Sequence, residues 1–292
     1  MFTAVLTSDP EAPALGPDLL EALRSGWGGG PALWLAPGVA AEFDLPVLPD
    51  TLESARTDLG PMRVDLNVVP AEGRRKRLLL ADMDSTMIRQ ECIDELADEA
   101  GVGARVAAIT ARAMNGEIGF EGALRERVGL LKGLDAAVIE RVLARRITLM
   151  PGGPVLLATM KANGAKAALV SGGFTAFTAA IAARLGCDWH RANTLLIEDG
   201  RLTGEPGTPI LGQQAKVDAL EEFAAEMGIG AGDVIAVGDG ANDLGMLALA
   251  GMGVALHAKP AVQAKAALRV NHGDLTALLY LQGYARTAFV AR

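Results

Sequence analysis

An α/β fold is predicted for this chain: a Rossmann-like parallel sheet sandwiched by helices, a helical cap inserted after the first core strand, and a small N-terminal α/β appendage. Three observations carry the prediction. Beyond Pro151-Gly152-Gly153, strand-like and helix-like segments alternate, the pattern of a parallel sheet covered on both faces. Between residues 93 and 146 the apolar positions keep helical spacing without a strand-like run. Before residue 74, short strand-like segments are separated by glycines and prolines. The expected organisation is therefore 1–73 as the N-terminal region, 74–90 and 148–292 as the core, and 91–147 as the cap.

In chain order, residues 2–6 and 63–69 read as strands and 17–24 as a helix, with Gly28-Gly29-Gly30 and several prolines loosening the pattern between them. The basic run Arg74-Arg75-Lys76-Arg77 reads as a solvated linker entering a buried strand rather than as a nucleic-acid signal. Residues 78–81 form a short apolar run of the buried parallel-strand type. The helical block follows, with breaks at Gly101-Val102-Gly103, Gly116 and Gly133. Residues 155–162 read as helix, 165–170 as strand and 174–185 as helix. A hairpin is expected over 193–202, turned by Asp199-Gly200. Helix 215–227, strand 234–237, helix 243–250, strand 253–256 and two shorter units complete the chain.

Composition narrows the function classes. The 292 residues are 50% hydrophobic and 21% charged, with a formal net charge of -8. That balance disfavours a non-specific nucleic-acid binder, which needs a basic face to displace counterions from phosphates. The two cysteines, Cys92 and Cys187, form no CxxC pattern, and the three histidines lack metal-site spacing. A reducing compartment follows. The N-terminus lacks a basic start followed by a long apolar run, and no stretch approaches a membrane span, so a cytoplasmic protein without membrane contact is expected.

The chemistry is concentrated at strand ends. Asp82-Met83-Asp84-Ser85-Thr86 follows strand 78–81, where ligands of open parallel sheets bind. Carboxylates at i and i+2 of an extended segment face one side, and such a pair needs a cation or a shared proton to coexist. Ser171-Gly172-Gly173, expected just after strand 165–170, offers a hydroxyl and backbone amides at a helix N-terminus, suited to phosphate. Gly238-Asp239-Gly240-Ala241-Asn242-Asp243 supplies carboxylates for a hard cation, and Lys216 a charge to neutralise phosphate. Each cluster alone is also what a glycine turn, a helix cap or a surface lysine looks like; it is their recurrence at successive strand ends that points to a site.

The set DMDST, SGG, Lys216 and GDGAND, in this order, resembles the haloacid dehalogenase-like phosphohydrolases, from about Leu78 to about Asp274. The resemblance implies Asp82 as a nucleophile that forms an aspartyl phosphate and Asp84 as general acid and base. It implies Mg2+ held by Asp82, the backbone carbonyl of Asp84, and Asp239, with Asn242 and Asp243 completing the site. Ser171, Gly172 and Lys216 would bind the phosphoryl oxygens. The stretches around Glu91 and around Phe120 and Arg127 look like those of the phosphoserine phosphatase branch. There the glutamate takes the substrate ammonium and the arginine its carboxylate, and Phe120 would shield the closed site. Without that resemblance, Glu91 and Arg127 read equally as solvated helix faces. The implied activity is hydrolysis of O-phospho-L-serine, the last step of serine biosynthesis; another phosphomonoesterase or a phosphotransferase of the same superfamily is the alternative. A phospho-accepting signalling module is disfavoured by Asp84, which turnover needs and phosphate storage does not. Cys92 reads as a buried, inert thiol. For residues 1–73, serine feedback, packing and homodimerisation all stay open.

Overall fold

A computed structural model describes residues 1–114 and 117–291; Gly116, expected as a helix break, lies outside the described residues. The N-terminal region contains β1 (Phe2–Ser8), α1 (Pro17–Gly26), β2 (Leu33–Ala36), β3 (Ala40–Leu45), α2 (Leu52–Leu59) and β4 (Val64–Pro70). Its sheet has the order β2-β3-β1-β4, and β1 pairs antiparallel with both β3 and β4. This is the split βαββαβ arrangement of ferredoxin-like units. Only β1, α1 and β4 were legible beforehand. Strands β2 and β3 escaped because β2 is only four residues long and β3, Ala-Ala-Glu-Phe-Asp-Leu, is built largely from residues of low strand propensity. Ala4, Leu6, Phe43 and Leu66 pack with Leu20 of α1 and Leu59, while Val5, Ala40 and Val69 join the central core.

The core begins with β5 (Leu78–Ala81), and the cap follows at once: α3 (Cys92–Glu99), α4 (Gly103–Met114), α5 (Phe120–Gly129) and α6 (Val138–Arg145). The chain returns through α7 (Gly153–Ala162), β6 (Lys166–Phe174), α8 (Thr175–Leu185), β7 (Trp189–Asn193) and the hairpin β8 (Leu195–Glu198) and β9 (Arg201–Pro206). It ends with α9 (Gln213–Glu226), β10 (Val234–Gly238), α10 (Leu244–Leu249), β11 (Met252–Leu256), α11 (Pro260–Gln263), β12 (Leu268–Val270) and α12 (Ala277–Leu281). The parallel sheet has the order β12-β11-β10-β5-β6-β7. Successive residues of β5 alternate between its two faces: Leu79 and Ala81 enter the larger core cluster, Leu78 and Leu80 the one beneath α9 and α10. β5 lies between β10 and β6, so the chain leaves it in one direction and later returns on the other side. That switch point is where a doubly wound sheet opens a crevice.

Three local expectations are corrected. Ser171-Gly172-Gly173 does not follow its strand: β6 runs on to Phe174, which pairs with Asn193 after a register shift. The glycines permit this bulge. The edge strand β7, Trp-His-Arg-Ala-Asn, was not expected, because a partly exposed edge tolerates polar side chains. The Asp-Gly hairpin is present, with Asp199 at φ 48° and Gly200 at φ 75°, as a type I′ turn requires, but its strands span 195–206 and not 193–202, since Asn193 ends β7. It belongs spatially to the cap: the amides of Gly133 and Ala136 donate to Leu202 and Gly200, and the amide of Leu202 donates to Leu134. Among the described residues no helix is long and apolar enough to cross a membrane.

The N-terminal unit covers the open edge of the core sheet. The Asn67 side chain acts as a strand surrogate, accepting from the Arg269 amide at 2.8 Å and donating to the Arg269 carbonyl at 2.8 Å. Asp65 accepts from the backbone N–H groups of Asn271, His272 and Gly273 at 2.8, 2.9 and 3.0 Å. Both side chains are buried, so the unpaired edge of β12 is satisfied by side chains instead of by another strand. Asp65→Ala, which strands these donors, is expected to lower the unfolding free energy by about 1–3 kcal/mol, measured by urea denaturation; an unchanged midpoint would show that the unit is not held by this contact.

Candidate active site

The site lies at the carboxyl ends of β5, β6 and β10. β5 and β10 are hydrogen-bonded neighbours, and the pairing continues one step beyond β5, where the Asp82 amide donates to the Val237 carbonyl at 3.0 Å. Adjacent strand ends therefore bring the DMDST and GDGAND segments together. Asp82, Asp239 and Asp243 each offer a carboxylate oxygen within 4.8 Å of the others. Such a group is stable only with positive charge in it. Lys216, in the first turn of α9 and 2% exposed, supplies that charge: its Nζ stands 2.9 Å from Asp82 Oδ1 and 2.6 Å from Asp243 Oδ1. Burial works against the ammonium, but Asp82 and Asp243 outweigh it and the lysine pKa is raised. Burial likewise pushes the Asp82 carboxyl well above the usual carboxylate range, opposed by Lys216. It takes Asp239 up to about 6, with Asp243 adding to the rise.

Asp243 is fully buried, and its second oxygen accepts from the Gly240 amide at 2.9 Å. Thr86 donates to Asp239 Oδ1 at 3.1 Å, orienting it from the other strand end. Asn242 sits half-buried in the short turn between them. All-oxygen donors of this density suit a hard divalent cation such as Mg2+ rather than a soft one. Asp84 is not part of this carboxylate group. Its side chain turns the other way, accepting from the Cys92 amide at 2.9 Å and from the Ser171 hydroxyl at 3.2 Å. Burial raises its pKa, and the bonds to Cys92 and Ser171 restrain that rise. Ser171 is fixed in turn by the Gly173 amide, which donates to its Oγ at 2.9 Å. That amide was expected to be free for an anion and is instead used inside the loop. A Cβ on residue 173 would stand 2.6 Å from Asp84 Oδ2, so this position requires glycine.

The cap contributes three of the expected residues. Glu91 precedes α3 and accepts from Ser85 Oγ at 2.6 Å, with Ser85 held at φ 55° to reach it. Glu91 is exposed to solvent, yet partial burial of its carboxyl together with the charge of Asp84 pushes it up to about 7. Arg127, on α5, is half-buried and directs Nε to the Ala123 carbonyl at 3.2 Å. Burial lowers its pKa, while Asp94, Glu91 and Asp84 hold it up. Phe120, the first residue of α5, is 39% exposed and reaches across to the core at Gly172 and Gly212. Cys92 is buried, and burial together with Asp84 drives its thiol pKa far up, so it stays protonated. Sequence reasoning overlooked Ser85, Thr86 and the Cys92 amide as supports. The first two were visible as hydroxyls within DMDST; the third is a backbone group and leaves no sequence signal.

A family model described as haloacid dehalogenase-like hydrolase matches residues 79–248. The chain is 45% identical over 232 residues to a phosphoserine phosphatase of Streptomyces coelicolor, covering 79% of this chain and 56% of that one. It is 47% identical over 210 residues to a phosphoserine phosphatase of Polaromonas sp., covering 70% and 89% respectively. This chain thus spans little more than half the length of the Streptomyces relative. Among solved structures, a HAD family hydrolase from Salmonella enterica serovar Typhi superposes with a TM-score of 0.87 at 32% identity, covering 96% of this chain and 98% of that one. A phospho-aspartyl intermediate analogue of phosphoserine phosphatase superposes with a TM-score of 0.66 at 42% identity, covering 70% and 98%.

Removing the buried lysine leaves Asp82 and Asp243 facing each other without a counter-charge. Lys216→Met is expected to destabilise the fold by about 3–5 kcal/mol near neutral pH. The Asp82 pKa is higher folded than unfolded, so folding takes up protons there, and the deficit shrinks as pH falls through the folded value. Urea denaturation at about pH 5 and about pH 8 measures this; an equal deficit at both would contradict the charge explanation.

Proposed function

The chain belongs to the haloacid dehalogenase-like hydrolase family, and on that premise we propose that it hydrolyses O-phospho-L-serine to L-serine and phosphate through an aspartyl phosphate on Asp82. The observation that carries the proposal is a buried Asp82 beside Lys216 with Asp84 two residues on, together with a carboxylate and a guanidinium of the cap, Glu91 and Arg127, near enough to feel the charge of Asp84 and, for Arg127, of Glu91. A zwitterionic amino acid needs one anionic partner and one fork-shaped cation. The relatives named phosphoserine phosphatase, one of them described as a phospho-aspartyl intermediate analogue, support the same substrate and intermediate.

In this proposal an Asp82 oxygen attacks phosphorus as the bond to the serine oxygen breaks, and Asp84, protonated, gives its proton to the leaving alkoxide. Asp84 then takes a proton from water as that water attacks the phosphoryl group, which releases phosphate and restores Asp82. Burial favours a neutral Asp82, so an ionised nucleophile depends on Lys216 beside it. The family generally works with a divalent metal; Mg2+ fits the oxygen donors of Asp82 and Asp239 together with the Asp84 carbonyl, and when bound it supplies positive charge against the phosphoryl oxygens. Ser171, Gly172, Lys216 and Asn242 serve as the remaining phosphate contacts, with Asp243 holding Lys216 in place. Residues 91–147 act as the cap that brings Glu91 and Arg127 over the substrate, and Phe120 excludes water when it is closed.

Phosphate release from a panel of phosphomonoesters with magnesium present tests this directly. Strong preference for L-phosphoserine, lost in Asp82→Asn, is the expected result; turnover of sugar phosphates but not phosphoserine would overturn the substrate assignment. Glu91 must be ionised to hold an ammonium, and its pKa in the free site is about 7. KM for phosphoserine is therefore expected to rise as pH falls below that value. In Glu91→Gln the KM should be at least tenfold higher, of the order of a lost charge-assisted hydrogen bond, and should no longer change across this range.

A further inference from the structure

We propose that Asn193 is a positioning residue that sets the closed position of the cap by building the seat on which Phe120 rests. The inference rests on the proposed role of Phe120 as the shield of the closed site. Asn193 ends β7 and is 2% exposed. Its amide nitrogen donates to the Gly172 carbonyl at 2.8 Å and to the Leu211 carbonyl at 3.1 Å, and its oxygen accepts from the Leu211 amide at 2.7 Å. One buried side chain thus ties together two segments that no strand pairing joins: the bulge of β6 and the loop that leads into α9.

Phe120 of the cap lies against both of those segments. A Cβ built on Gly172 would stand 3.3 Å from Phe120 Cζ, and one built on Gly212 would stand 3.6 Å from Phe120 Cδ1. The Phe120 ring therefore lies over both glycines, with its Cζ toward one loop and its Cδ1 toward the other. The spacing between the two loops decides whether the ring can settle, and Asn193 holds that spacing. The Asn193 side chain bonds to Gly172 and Leu211 and not to Asp82 or Asp84, so its influence on the reaction passes through the seat of Phe120.

The chemistry predicts which substitutions matter. In Asn193→Asp the bond from the Leu211 amide is kept, but a carboxylate oxygen replaces the donor that faced two carbonyls, and the loops are pushed apart. Asn193→Ser keeps a single donor at shorter reach. Both are read against Phe120→Ala in a double-mutant cycle on kcat/KM for phosphoserine. Asn193→Asp is expected to lose roughly ten- to a hundredfold with Phe120 present, the range of a buried hydrogen bond left unmade, and no more than about threefold in the Phe120→Ala background. The same loss in both backgrounds, in variants whose circular dichroism and thermal midpoints show a folded chain, would sink the proposal. If Asn193→Asp does not fold, Asn193→Ser carries the same cycle. The wild-type panel separates the two layers of inference. Should phosphoserine not be turned over, the substrate assignment fails, and the cycle on the best phosphomonoester still decides for or against Asn193.

Discussion

Everything at the carboxyl end of the sheet depends on one buried contact, the Lys216 ammonium between Asp82 and Asp243. Parallel pairing of β5 with β10 forces the DMDST and GDGAND segments side by side, and the result is a concentration of carboxylates where little water can screen them. A lysine delivered from the first turn of α9 makes that arrangement tolerable. The cost of burying charge is met by geometry: Asp243 also accepts from the Gly240 amide, and Asp82 Oδ1 accepts from the Met83 amide as well as from the lysine. Remove any of these and the remaining charges are unpaired in a low-dielectric place.

The second constraint is that the general acid candidate belongs to both halves of the molecule. Asp84 is held by a hydroxyl of the core, Ser171, and by a backbone amide of the first cap helix, Cys92. Glu91, one residue earlier, is bonded to Ser85 in the strand-end segment. The cap is thus joined to the candidate site at its root, through residues 84–92, and touches the core again at Gly172 and Gly212, through Phe120. The hairpin β8–β9 is bonded to the cap by its backbone although it lies far along the chain, so the cap unit is drawn from two stretches of sequence.

The N-terminal unit solves a different problem. A six-stranded parallel sheet has two edges, and at β12 the edge is closed by Asp65 and Asn67 rather than by a further strand. The same unit offers its second sheet face to the central core, where Val5, Ala40 and Val69 pack with the residues around α12. Its two strands β2 and β3 were missed because one is short and the other is rich in alanine and acidic residues.

The sequence by itself determined the class of fold, the order of the core elements other than β7, and which chemical groups are candidates for the site. Local information was enough because apolar strands such as Leu78–Ala81 and the polar segment that follows each are contiguous, and a parallel α/β order puts successive strand ends on one side. Glu91, Phe120 and Arg127 were legible as candidates only through resemblance, since a charged or aromatic residue on a helix carries no local mark of its partner. What tertiary structure alone decided is which way each group faces. Asp84 turns from the carboxylate group toward Cys92 and Ser171, the Gly173 amide is consumed within its own loop, and β7 exists because it pairs with β6. Asn193 matters because it lies between two loops distant in the chain. Each of these is settled by hydrogen bonds between residues far apart in sequence, and pairing of that kind appears only when the chain is folded.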